Sequence, residues 1–104
     1  MVTETENVVR NVNQFVNELG KQLKIHAAYI YGSHSRGNAT TWSDIDVAVI
    51  SPDFSADLFE ERLKLMKMAA NIDDRIEPHP FRVEDFDSSN PLANEIQKHG
   101  ILIS

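Results

Sequence analysis

Gly32-Ser33 is followed by ten residues and then by Asp44, with Asp46 two positions further on. Apolar runs flank both features, Ala27 to Tyr31 before the turn and Ile45 to Ile50 through the acids. Side chains alternate along a strand, so Asp44 and Asp46 are expected on one face with Ala48, while Ile45, Val47 and Val49 anchor the other. Two carboxylates at this spacing have Cα atoms ~6–7 Å apart and can converge on one divalent cation. Oxygen donors of this kind suit Mg²⁺ or Mn²⁺ better than zinc. A pair of such ions ~3.5–4 Å apart activates an attacking oxygen and stabilises a leaving one.

A third carboxylate is expected from a neighbouring strand. Glu77, between Ile76 and Pro78, is the best placed; it would complete the metal site or accept the proton of an attacking hydroxyl. Asp73 and Asp74 are alternatives, but read as solvated loop acids. Gly32 lets the backbone turn sharply beside a phosphate, and Ser33 offers a hydroxyl and an N–H. Arg36 lies near enough in sequence to add charge at the same anion. Gly32 to Gly37 also matches the first half of a Walker A loop, but Asn38-Ala39 stands where Lys-Ser/Thr would follow, which rules out a P-loop. His26, His34, His79 and His99 show no metal-ligand spacing and read as surface or turn residues, His34 being the one within reach of phosphate. Trp42 is expected to pack beneath the 38–43 loop.

Elements must hold these residues in place. Val8, Val12, Phe15, Val16, Leu19 and Leu23 recur at helical steps, predicting a helix over about 4–23 that Gly20 ends or weakens. Strands are expected at 27–31 and 44–50, with a turn at 33–37 and a polar loop at 38–43 between them. A second helix is expected over about 55–70, with an apolar stripe of Phe59, Leu63, Met66 and Ala70 widened by Leu58 and Leu65. A third strand covers 75–81, where Pro78 and Pro80 imply an edge, a bulge or an early stop. Asn90-Pro91 reads as N-cap and first turn of a helix that ends near His99 with Gly100 as its cap, and 101–103 adds a short strand. The expected fold is one small α/β (α+β) domain over 1–104: a mixed sheet with helices packed on one face.

The composition is that of an ordinary globular domain, 41% hydrophobic and 25% charged. No apolar run approaches the ~18 residues of a membrane span, and the acidic, polar start is unlike a signal peptide. The absence of cysteine excludes disulfides and thiolate zinc sites and fits a reducing cytoplasm. A formal net charge of −6 disfavours broad nucleic-acid binding and suits a partner with a basic face.

G-S-x(10)-D-x-D between two strands, with a later acid on a third, resembles the nucleotidyltransferases of the DNA polymerase β superfamily. The YGSHSRG turn and the SDIDVAV strand resemble its minimal nucleotidyltransferase branch, over most of the chain. The resemblance implies a polymerase β-like fold, Asp44, Asp46 and Glu77 as the metal triad, and Gly32 and Ser33 on the triphosphate of ATP. It also implies transfer of AMP to a hydroxyl, with release of pyrophosphate. Larger members carry extra domains for the acceptor, so a second protein or a second copy of the chain is expected to complete the site. Minimal nucleotidyltransferases are often paired with a helical HEPN toxin, to whose tyrosine the antitoxin adds AMP. Two other readings stay open at this stage: a binding antitoxin with a vestigial nucleotide site, and a small-molecule enzyme of the aminoglycoside-modifying type.

Overall fold

The computed structural model describes residues 4–32 and 43–104. Helix α1 spans Glu4–Leu19, strand β1 Ala27–Tyr31, strand β2 Ile45–Ile50 and helix α2 Leu58–Ala70. Strand β3 covers Ile76–Phe81, a 3-10 turn Val83–Asp85, helix α3 Pro91–His99 and strand β4 Ile101–Leu102. The sheet order is β3-β2-β1-β4. β1 runs antiparallel to both β2 and β4, whereas β2 and β3 are parallel. A parallel pair needs a long crossover, and α2 provides it. The sheet is mixed, as expected.

β2 is the organising strand. Ile45, Val47 and Val49 face a core built from Val8, Val12, Phe15, Val16 and Leu19 of α1 and Leu65 and Ala69 of α2. Ala48 and Ile50 face a second cluster with Phe86 and with Ala93 and Ile96 of α3. The layering therefore differs from the expectation in one respect: α1 and α2 share a face, but α3 lies against the other. The reason is that β2 is apolar on both sides beyond Asp46, so its second face also needs a cover.

α1 ends at Leu19, short of the expected 23, and the Gly20 and Leu23 N–H groups close its last turn on Val16 and Leu19. α2 begins later than expected because Asp57 takes the N-cap, accepting from the Glu60 N–H at 3.1 Å. Its expected apolar stripe is corrected. Leu65 and Ala69 are buried at 2% and 1% exposure, while Phe59, Leu63 and Met66 stand 73%, 42% and 42% exposed. Both sets recur at helical spacing, so periodicity alone could not choose between them. α3 begins as read, Asn90 accepting from the Leu92 and Ala93 N–H groups at 3.0 and 3.2 Å. Gly100 brings the chain against β1: a Cβ there would lie 2.5 Å from the Ile96 carbonyl and 3.2 Å from that of Ile30.

The prolines of β3 mark an edge rather than a bulge or a stop, since its register with β2 is unbroken from Ile76 to Phe81. Ile45 N–H donates to the Arg75 carbonyl and Ser51 N–H to that of Phe81, so the odd-numbered residues of β3 face β2. Pro78 and Pro80 therefore occupy outward positions, where they remove the exposed donors of an edge strand. Arg62 of α2 donates its Nε to the outward Pro78 carbonyl at 3.2 Å. Among the described residues, no helix is long and apolar enough to cross a membrane.

Asp73 is not a free loop acid. It accepts from Arg75 Nε at 3.1 Å, Arg75 Nη2 at 2.9 Å and Asn11 Nδ2 at 3.0 Å, tying α1 to the connection before β3. The Arg75 hydrogen bonds lower its pKa from 3.8 to about 2. A depressed carboxylate pKa stabilises the fold above the unfolded value, and this contribution is lost as pH falls from about 4 towards 2. Asp73→Asn should accordingly lower stability at pH 7 and flatten the acid limb of a stability–pH curve measured by urea unfolding. In the same assay Leu65→Ala should cost about 2–5 kcal/mol. Phe59→Ser should stay within about 0.5 kcal/mol of the parent; equal losses at the two positions would contradict the orientation of α2.

Candidate active site

Three strands bring one residue each into a row. Tyr31 of β1 is the cross-strand partner of Asp46 of β2, and Asp46 is the partner of Glu77 of β3. Adjacent strands lie about 4.8 Å apart, so this register seats two carboxylates side by side. His79, two residues beyond Glu77 and paired with Ala48, shares their face. The ligand atoms of Asp46, Glu77 and His79 lie within 4.8 Å of one another. His79 Nε2 is 3.4 Å from Asp46 Oδ1, and both side chains are about 30% exposed, at 29% and 30%. The Tyr31 and His79 ring centroids are 5.7 Å apart, with the rings tilted at 60° to each other.

The electrostatics follow from this packing. Burial, and then the charge of Asp46, push the Tyr31 hydroxyl up to about 12, with Arg62 opposing and Glu77 adding to the rise. Tyr31 therefore remains neutral and adds no third negative charge to the row. Two adjacent carboxylates repel each other, and a divalent cation between them would turn that repulsion into attraction. Two carboxylates and an imidazole form a chemically sound donor set for such an ion.

Gly32 ends β1 and turns the chain with φ +77°, a conformation in which side chains are strained. A Cβ at this position would lie 2.5 Å from Asp46 Oδ2. The glycine is thus favoured by the turn, and an added Cβ would push the Asp46 carboxylate aside. Beside it opens a cleft of about 160 Å³, bounded by Tyr31, Gly32 and Asp46 on the sheet and by Leu92, Glu95 and His99 on α3. A larger groove of about 470 Å³, between Leu58 and the 84–90 segment, contains none of the row.

The structure thus brings together Asp46, Glu77 and Gly32. Asp44 stands exposed just before β2 and is not part of the Asp46–Glu77–His79 group. Ser33 and Arg36, together with His34 and Trp42, lie outside the described residues. The reading of His79 as a surface or turn histidine is corrected, because it lies in β3 at the carboxylates. The alternation Glu77-Pro78-His79 carried that signal, since residues two apart in a strand share a face. Tyr31 and Arg62 were missed as well; strand register and helix orientation place them, and neither is encoded locally.

The family model described as "Polymerase beta, Nucleotidyltransferase" matches residues 13–104. A crystal structure assigned as a nucleotidyltransferase from Sulfolobus solfataricus superposes with a TM-score of 0.67 at 18% identity, over 94% of this chain and 80% of that one. A toxin–antitoxin structure with AMP-PNP superposes with a TM-score of 0.65 at 21% identity, over 92% of this chain and 72% of that one. Curated protein sequences yield no match.

Gly32→Ala should destabilise the protein by about 1–3 kcal/mol, because alanine is strained at this φ and its methyl group displaces Asp46. Gly20→Ala, where an added Cβ meets only ordinary contacts at 3.5 Å, is the control. It should be neutral or stabilising by up to about 1 kcal/mol. Urea unfolding of the two variants checks both signs.

Proposed function

This chain belongs to the polymerase β nucleotidyltransferase family, and on that premise we propose that it transfers AMP from ATP to a hydroxyl on a protein partner. The observation that carries the reading is the register of Asp46 beside Glu77, with Gly32 turning the chain against Asp46. Asp44, Asp46 and Glu77 are proposed to hold Mg²⁺ or Mn²⁺, which would supply charge neutralisation at the triphosphate and activation of the attacking oxygen. Gly32, Ser33 and Arg36 are proposed to seat the phosphates.

In the reaction the acceptor oxygen bonds to the α-phosphorus, the bond from that phosphorus to the β-bridging oxygen breaks, and pyrophosphate leaves with the electron pair. A carboxylate of the site, Glu77 in this proposal, takes the acceptor proton. Tyr31 stays neutral and closes the row on the β1 side. The cleft between Asp46 and α3 leaves the Asp46 carboxylate accessible to an incoming group.

The proposed acceptor is a tyrosine of a HEPN-like helical toxin, with this chain as antitoxin. The likeness to a toxin–antitoxin structure with AMP-PNP supports that choice of nucleotide and of partner class. The net charge of −6 favours a partner with a basic face over nucleic acid.

With partner and divalent cation present, label should pass from α-³²P-ATP to the partner and not from γ-³²P-ATP. Asp46→Asn should reduce transfer by more than about 100-fold, beyond the loss typical of outer-shell changes at metal sites. Undiminished transfer by that variant overturns the assignment. Full neutralisation of the partner by the inactive variant would favour occlusion without chemistry, and modification of an aminoglycoside by the chain alone would favour the small-molecule reading.

A further inference from the structure

We propose that His79 is an inner-sphere nitrogen ligand beside the carboxylates of this metal site, and that the added imidazole makes the site select Mn²⁺ over Mg²⁺. The inference rests on the metal-dependent reading above and concerns which ion that site prefers.

Three observations carry it. First, strand alternation places His79 on the face of Glu77, and the pairing of Ala48 with His79 sets it diagonally from Asp46. Second, the 3.4 Å between His79 Nε2 and Asp46 Oδ1 is long for a hydrogen bond. It is close to the separation of about 3 Å between neighbouring donors on one divalent ion at ordinary ligand distances. Third, the backbone is stiff where it needs to be. Glu77 precedes Pro78 and His79 precedes Pro80, and a residue before proline is confined to extended conformations. The same prolines have fixed φ, and the Tyr31 ring lies against the imidazole. The backbone that carries both donors is therefore fixed before an ion arrives, at little cost in backbone entropy.

The chemistry then separates the two ions. Mg²⁺ demands oxygen donors in near-ideal octahedral geometry and retains its waters. Mn²⁺ accepts carboxylates equally well and, as a first-row transition metal, also binds sites that include nitrogen donors. A magnesium site built from this strand would gain nothing from His79, whereas a manganese site gains a ligand.

The test is pulsed electron paramagnetic resonance of the full chain with Mn²⁺ and AMP-PNP, alongside titrations with Mn²⁺ and with Mg²⁺. The expected result is ¹⁴N modulation from a coordinated imidazole that converts to ¹⁵N coupling on histidine labelling and disappears in His79→Gln. That variant should lose about 10–100-fold in Mn²⁺ affinity, the range seen when support around a metal is removed, and less than about 3-fold for Mg²⁺. Bound Mn²⁺ without imidazole coupling, or coupling that survives His79→Gln, overturns the role of His79 and leaves the carboxylate site standing. Failure of Mn²⁺ to bind at all overturns both this inference and the metal-dependent reading beneath it.

Discussion

The parallel pairing of β2 with β3 is the constraint on which the rest of the structure depends. Its register sets Asp46 against Glu77, two like charges on neighbouring strands, at a position where apolar residues would pack more easily. The arrangement is tolerable because the row is partly open to water and because His79 lies beside Asp46. Tyr31 contributes by staying neutral. The paired acids sit where the parallel pair brings a central and an edge strand together, and the remaining elements can be understood from that pairing.

Parallel pairing demands a crossover, so α2 must exist and must bury Leu65 and Ala69 against the sheet. The same crossover carries Arg62 to the Pro78 carbonyl at the outer edge. Pro78 and Pro80 serve two ends at once. They remove the outward N–H groups of an edge strand, and they confine Glu77 and His79 to extended backbone. Protection of the edge and rigidity of the site thus come from one four-residue pattern. On the opposite side of the row, Gly32 allows the turn to approach Asp46 more closely than any side chain would permit, and α3 packs against the remainder of that face through Ala93 and Ile96.

Much of the fold was legible before the structure. The two carboxylates two residues apart, the glycine before them and a lone acid in an apolar third strand are local patterns, and each described element is present near its expected place, with α1 ending and α2 beginning inside the expected bounds. Asn90-Pro91 and Gly100 bound α3 because capping is decided by the residues at the helix ends themselves. The orientation of α2 was not legible: its two apolar stripes both satisfy a helical period, and only contact with β2 distinguishes them. The burial of a second sheet face was equally hidden, because an apolar strand does not announce what covers it. That His79 shares a face with Glu77 follows from strand alternation, but its place beside Asp46 depends on register, which no local spacing encodes.

The sequence by itself determined the strand positions of Asp46 and Glu77, the glycine that follows β1 and the kinds of elements that surround them, since alternation, helical period and capping are properties of short segments. Only the tertiary structure decided that Glu77 is the neighbour of Asp46, that His79 and Tyr31 join the same group, and that α3 rather than α1 or α2 forms the other wall of the cleft. Those relations depend on strand order and register, which are set by how apolar faces from distant parts of the chain pack together, and no local spacing contains that information.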